Sequence, residues 1–255
     1  MITLLVLGIA PAHAELALVC GIVQADTALA PLGHAPILDG KPAAVVPAPQ
    51  AESWWTTRHE HLLARLRQGN VGLLFIGDSI TQGWATKGLR VWDKYYERRR
   101  AVNLGFAGDR TEHVLWRLDH GEMDGITPKL IVLMIGTNNS GHRQDPPAET
   151  AAGIEAILRT IQMGLPGTKI LLLAIFPRGA SADDQLRQLN AATNEHIRHF
   201  ADNQQVFFLD LSQRFLDDQE HLSQELLPDY LHLSESGYDV WADGMETMVK
   251  TLLGE

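Results

Sequence analysis

Ser79 stands in Gly77-Asp78-Ser79-Ile80, directly after an apolar run. A serine placed where a buried strand turns into a helix has its hydroxyl beside backbone N–H groups that no helical carbonyl satisfies. Such groups can stabilise a developing oxyanion. The same tripeptide serves equally well as an ordinary Asp/Ser helix cap. A serine hydroxyl becomes a nucleophile only beside a base, and the chain offers eleven histidines. Two of them follow an aspartate by three residues, in Asp218–His221 and Asp229–His232. The first pair lies in the polar run 216–221, with little apolar side chain to hold it. The second is interleaved with Tyr230, Leu231 and Leu233, which can anchor a loop, and Ser234 can then cap a final helix. This favours Asp229 as the residue that orients His232, and His232 as the base for Ser79. The other histidines are expected mainly on the solvated surface. His59 and His61 are two residues apart on a helix and point to different faces, so no metal site is expected there.

An oxyanion needs preorganised donors. Gly108 follows a second apolar run, and without a side chain its N–H can approach a ligand closely. Asn138 follows a third run, in Gly136-Thr137-Asn138-Asn139, and supplies an uncharged N–H₂. Taken singly, Gly108 reads as a turn glycine and Asn138 as a loop-stabilising amide. With the Ser79 N–H they make an expected oxyanion hole of Ser79, Gly108 and Asn138. Asp78, Trp84, Phe106, Asn139 and Arg178 are the expected substrate contacts, with Trp84, Phe106 and Arg178 at the rim. Asp78 is expected to position the serine loop and stands outside the triad Ser79, His232, Asp229.

These residues need a scaffold that gathers them. Apolar runs suited to buried strands occur at 71–76, 101–104, 130–135, 169–175 and 205–209. Helical patterns fall between them, at 112–118, 148–163 and 184–200, with a last one at 235–253. Continuous apolar strands alternating with amphipathic helices imply an α/β fold, a parallel sheet covered on both faces. Five strands suit a three-layer, flavodoxin-like domain. In such a sheet ligands bind at the carboxyl ends of the strands, and Ser79, Gly108, Asn138 and Arg178 all follow strands. Ser53 can cap a helix whose apolar face is Trp55, Leu62, Leu63 and Leu66, ending at Gly69.

Ahead of this domain, expected over 53–255, residues 31–52 are rich in Pro and Ala and read as a linker or strap. Residues 1–30 are apolar and resemble an export leader, although a basic start is missing and Glu15 interrupts the run. A secreted or periplasmic protein is expected, or a cytoplasmic one if the leader is not a signal. Cys20 is the single cysteine, so an intramolecular disulfide is excluded. The 255 residues carry a formal charge of −10, which argues against a nucleic-acid partner. The run Arg98-Arg99-Arg100 reads as a solvated helix end. No Walker sequence is present, and Gly105-Phe106-Ala107-Gly108-Asp109 lacks the glycine spacing of a dinucleotide loop. No cofactor and no metal are expected. The expected partner is a small-molecule or carbohydrate ester, with no stable membrane insertion; a homodimer is left open.

Gly77-Asp78-Ser79, Gly108, Gly136-Thr137-Asn138 and Asp229-x-x-His232 match in order the four blocks of the SGNH (GDSL-like) hydrolases, and the chain resembles that family over about residues 70–252. The run 103–118, the Gly136-Thr137-Asn138-Asn139 block and the Phe176-Pro177-Arg178-Gly179 turn are similar to the catalytic subunits of intracellular platelet-activating-factor acetylhydrolase. Ile80-Thr81-Gln82-Gly83-Trp84 looks more like bacterial carbohydrate acetylesterases of the same superfamily. The resemblance implies a flavodoxin-like fold and metal-free hydrolysis of short acyl esters. One departure is Ala107, where the first subfamily usually carries a second glycine; a positive φ there would move Gly108. The rival reading within the esterases is a lipid acetylhydrolase; those from other classes are a non-catalytic carbohydrate-binding module and a nucleotide or phosphate binder.

Overall fold

A computed structural model describes Ile37, Leu38 and residues 40–255, all within the unit Leu32–Glu255. The apolar leader, Cys20 and the start of the Pro/Ala-rich segment lie outside the described residues.

A short hairpin comes first, β1 (Ile37–Leu38) with β2 (Lys41–Pro42). The main sheet follows: β3 (Leu73–Gly77), β4 (Ala101–Gly105), β5 (Leu130–Met134), β6 (Lys169–Leu173) and β7 (Val206–Leu209). Its order is β4-β3-β5-β6-β7 and every pairing is parallel. The helices are α1 (Ser53–Arg67), α2 (Ser79–Gln82), α3 (Leu89–Tyr95), α4 (Thr111–Arg117), α5 (Pro147–Gly164), α6 (Gln185–Ile197) and α7 (Glu235–Leu253). This is the expected α/β architecture of three layers.

Successive strand side chains point to opposite faces, so each apolar run fills two cores. Leu74, Ile76, Ile131, Leu133 and Leu172 pack beneath α4, α5 and α6 through Val114, Ile154 and Ile197. Leu73, Phe75, Val132 and Leu173 pack on the other face against Trp84, Val91 of α3 and Trp241 and Met245 of α7. Because both faces are covered, β3 and β5 are buried throughout their length. That is why they read as unbroken apolar runs.

The chain leaves β3 for β4 on one side and returns to β5 on the other. The crevice above the carboxyl ends of β3 and β5 is therefore the switch point where such sheets bind ligands. Ser79 follows β3 and Asn138 follows β5, so the topology alone brings them to one place. Gly105 ends β4 against α2: a Cβ there would stand 2.1 Å from Gln82 N, so the close approach requires glycine.

In the tri-arginine run Arg98 and Arg100 are exposed as expected of a solvated helix end, and Arg99 differs. Arg99 is nearly buried and binds Glu246 at 2.7 Å and Glu255 at 2.6 Å, which clamps the end of α7.

Candidate active site

Asp78 is buried and caps α2, its Oδ1 accepting the Ile80 N–H at 2.9 Å. The cap turns the chain so that Ser79 opens the helix half-exposed. At the far end of the domain Ser234 caps α7 by accepting the Gly237 N–H at 3.1 Å. The Tyr238 hydroxyl of α7 donates to Ile80 O at 2.6 Å, which binds the two helices together. The loop before α7 thus carries His232 to Ser79, and the Ser79 Oγ lies 3.0 Å from His232 Nε2. On the other side of the ring, His232 Nδ1 meets Asp229 Oδ2 at 2.7 Å. Asp229 Oδ1 accepts the His232 and Leu231 backbone N–H groups at 2.7 and 3.1 Å. Burial would raise the Asp229 carboxyl, but these hydrogen bonds and His232 outweigh it and hold it below the ordinary range. Tyr230, between them, takes a left-handed φ of 57°, and its carbonyl accepts the Gly179 N–H at 3.0 Å. The rival pair does not form: His221 Nδ1 faces Asp217, not Asp218, at 3.5 Å on the surface.

The second loop is tied to the end of β3 and to the serine helix α2. Phe106 N–H donates to Gly77 O at 3.0 Å, and Ala107 N–H to Gln82 Oε1 at 2.7 Å. Gly108 takes φ +75° while Ala107 does not, so the alanine meets no strain and the left-handed position falls on the glycine. Asn138 brings in the third loop by donating one Nδ2 N–H to Asp109 O at 3.0 Å. That bond fixes the amide plane and leaves its second N–H to point elsewhere. Among the described residues neither the Ser79 nor the Gly108 N–H has a partner.

Of the expected contacts, Arg178 is half-buried at the site, its Nη1 donating to Thr137 O at 2.9 Å. Burial lowers its pKa, opposed by the nearby Asp184, Asp78 and Asp229. The others differ from expectation. Trp84 is fully buried among Phe75, Tyr96, Tyr238 and Trp241. Phe106 is also fully buried, beside Trp55 and beneath the Arg117 guanidinium at 4.1 Å. Asn139 is buried as a brace, its Oδ1 accepting the Thr111 N–H and its Nδ2 donating to Asp145. Asp78 supports the loop from below without opening to solvent.

Beneath the Gly108 loop lies a buried charge network that no local motif announces. Asp109 accepts from Trp55 Nε1 and Gln50 Nε2, each at 2.7 Å, and from Arg117 Nε at 2.9 Å. Arg117 also donates to Glu122, which meets His59 Nδ1 at 3.3 Å. His59 and His113 are thus interior residues, contrary to the surface expected of them. Burial, with Arg110 and Arg143, pushes His113 down to about 3. His142 is exposed and comes within 3.8 Å of the position a Gly108 Cβ would take.

Burial pushes Asp78 from the ordinary 3.8 up to about 7, against the pull of the Ile80 N–H. Between those values the folded chain keeps a proton that the unfolded chain has released, so this group's contribution to stability falls as pH rises. Asp78→Asn keeps an acceptor for Ile80 N–H and removes the buried charge. Its Tm is expected to exceed that of the wild type at about pH 8 and to show no gain at about pH 4. An equal difference at both pH values, by scanning calorimetry, would contradict the assignment.

The GDSL-like lipase/acylhydrolase family model matches residues 75–240. The chain belongs to that family. It is a carboxylic ester hydrolase. The platelet-activating factor acetylhydrolase IB subunit alpha1 of Homo sapiens is 32% identical over 207 residues, 81% of this chain and 87% of its own. The alpha2 subunit of Rattus norvegicus is 33% identical over 221 residues, 85% of this chain and 94% of its own. Among solved structures, an acetylxylan esterase from Geobacillus stearothermophilus superposes with a TM-score of 0.58 at 19% identity, over 73% of this chain and 95% of its own. At that identity the likeness is one of fold. The esterase's family match begins inside β3, so α1 and the segment leading to it lie outside the matched residues.

Proposed function

We propose that this esterase hydrolyses short acyl esters, acetyl esters first, through an acyl-enzyme on Ser79. The observation that carries the reading is the continuous Asp229–His232–Ser79 chain, with contacts of 2.7 and 3.0 Å, at the strand switch point. His232 takes the Ser79 proton as the oxygen attacks the ester carbonyl. Asp229 holds the Nδ1–H tautomer and stabilises the imidazolium. The Ser79 and Gly108 N–H groups and the second Asn138 N–H receive the oxyanion, each worth about 3 kcal/mol in the transition state. His232 returns its proton to the leaving alcohol, then activates the water that releases the acid.

For the alcohol side we favour an acetylated carbohydrate. The groove beside His232 has a volume of about 600 Å³ and is open, lined by Thr86, Lys87, Pro228, Asp229, Leu233, Ser234 and Glu235. Its wall is mixed: Lys87, Asp229, Ser234 and Glu235 offer hydrogen-bond partners to a hydroxyl-rich alcohol, beside apolar surface that includes Pro228 and Leu233. A second reading, lipid acetyl esters, is favoured by the names of the relatives with 32–33% identity. Export is part of the first reading and rests on the leader's composition; a shortened N terminus on protein recovered outside the cytoplasm tests it.

Initial rates on p-nitrophenyl esters from acetate to octanoate are expected to fall with acyl length. Acetylated xylan is then expected to lose acetate. Untouched acetylated sugars together with efficient cleavage of a 2-acetyl phospholipid would replace the carbohydrate reading with the lipid one.

A further inference from the structure

Phe106 O accepts the Asp109 N–H at 3.1 Å, so residues 106–109 form a four-residue turn with Gly108 in third place at φ +75°. With no positive φ at Ala107 in second place, that makes it a type II turn. The peptide between Ala107 and Gly108 is planar and trans, so the Ala107 C=O and the Gly108 N–H point in opposite directions. Type I and type II turns differ chiefly in ψ of the second residue and φ of the third. Turning over that one peptide therefore changes one turn into the other. It would also replace the Gly108 N–H with the Ala107 carbonyl at the place where the oxyanion forms.

The chain holds the outer end of this peptide from an unexpected quarter. Gln50 Nε2 donates to Ala107 O at 3.0 Å and to Asp109 Oδ1 at 2.7 Å. The Gln82 contact cannot do the same task, because it engages the Ala107 N–H and so the preceding peptide. Gln50 belongs to the Pro/Ala-rich segment, which is sewn to the domain just beyond the turn. Thr111 Oγ1 donates to Ala44 O at 2.8 Å, and Ala48 N–H to Glu112 O at 3.2 Å. Ala43 and Ala44 are buried, and Pro47 and Pro49 restrict the backbone that leads to Gln50.

We infer that Gln50 is a positioning residue for catalysis: it latches the Ala107–Gly108 peptide in the orientation that presents the Gly108 N–H to the oxyanion. The hydrogen bond accepted by Ala107 O also polarises the peptide and strengthens its N–H as a donor. The strap that precedes the family's matched region is in this way part of the active site. The inference rests on Gly108 being an oxyanion donor.

The test compares Gln50→Ala and Gln50→Glu with the wild type and with Ser79→Ala on p-nitrophenyl acetate, with active sites counted by titration. Gln50→Ala is expected to lower kcat per active site roughly 10- to 100-fold, with KM nearly unchanged. An ionised glutamate has no proton for Ala107 O, whereas a protonated one has. The Gln50→Glu rate relative to wild type is therefore expected to rise as pH is lowered from about 8 to about 5, toward the carboxyl range. A merely structural role would lower the number of active sites and leave that ratio flat. Wild-type kcat in Gln50→Ala, a loss confined to KM, or a flat ratio in Gln50→Glu would each overturn the inference. Full activity in Ser79→Ala would instead overturn the serine reading beneath it.

Discussion

Ser79→Ala and His232→Ala are each expected to reduce kcat on a short ester by on the order of 10⁶, and the double variant to be hardly worse than either. In the proposed mechanism the two residues share one step, attack by an oxygen whose proton leaves as the bond forms, so either loss removes the whole step. Asp229→Asn is expected to cost about 10⁴, because an amide at 2.7 Å from His232 Nδ1 no longer selects the Nδ1–H tautomer. Residual rates above the uncatalysed reaction are expected in all three, from the donors at Gly108 and Asn138, which these changes leave in place. Single-turnover rates on p-nitrophenyl acetate measure this directly. A His232→Ala variant within tenfold of wild type would remove the base from the account.

The elements that gather these groups are legible in the sequence where burial is two-sided. Leu73–Gly77 and Leu130–Met134 are covered on both faces, so no polar residue interrupts them. The final helix spans Glu235–Leu253 as its pattern predicts, because the Ser234 cap starts it and Gly254, left-handed at φ 76°, ends it. The choice of Asp229–His232 over Asp218–His221 was also open to local reasoning. Tyr230, Leu231 and Leu233 pack against the core; Leu216 and Leu222 do so too, but they pair across the polar run as a bridge and leave His221 beside Asp217 on the surface. Trp84 shows where proximity in sequence misleads. It lies five residues after Ser79, yet the turns of α2 and the short helix after it carry the indole down between Phe75 and Trp241. Phe106 fails for a related reason: it immediately precedes the half-buried Ala107 and Gly108 of the turn, yet its ring lies in the core. Gln50 and the Asp109–Arg117–Glu122–His59 network had no signal at all. Their partners stand up to 63 residues apart, and a half-buried glutamine in a Pro-rich strap looks like any other polar loop residue.

The second large effect concerns that network. Arg117 is fully buried between Asp109 and Glu122, with its guanidinium over the Phe106 ring. Burial acts to lower its pKa, but the two carboxylates outweigh this and raise it, so the side chain remains charged. Asp109 is pushed by burial up to about 6 in spite of Arg117, and Glu122 is held below its ordinary range by Arg117 and His59 despite its burial. Arg117→Met fills much of the space but leaves two buried carboxylates without their cation. Breaking a buried pair in this way typically costs about 3–5 kcal/mol, far more than an exposed pair. Urea unfolding of Arg117→Met at neutral pH is expected to show a loss of that size. The loss is expected to shrink toward about pH 4, where both carboxylates can be protonated. Arg159, paired with Glu155 on the exposed face of α5, is the control: Arg159→Met is expected to change stability by less than about 1 kcal/mol. An Arg117→Met protein as stable as wild type would mean that the network contributes nothing to holding the Asp109 turn.

The two effects connect at Asp109. Its backbone carbonyl orients Asn138 and its side chain receives Gln50, Trp55 and Arg117. The buried charges thus support the loop that carries Gly108 and whose Asp109 carbonyl orients Asn138 from the next loop, while the Ser79 N–H is set separately by the Asp78 cap.

Acylation of Ser79 itself can be read by rapid acid quenching during turnover of p-nitrophenyl acetate, followed by peptide mass spectrometry. One acetyl group is expected on the peptide containing Ser79, formed at the rate of the p-nitrophenol burst and absent from Ser79→Ala. Steady turnover with no acetyl on Ser79 under conditions where deacylation limits the rate, or an acetyl group carried by another residue, would contradict an acyl-enzyme on Ser79.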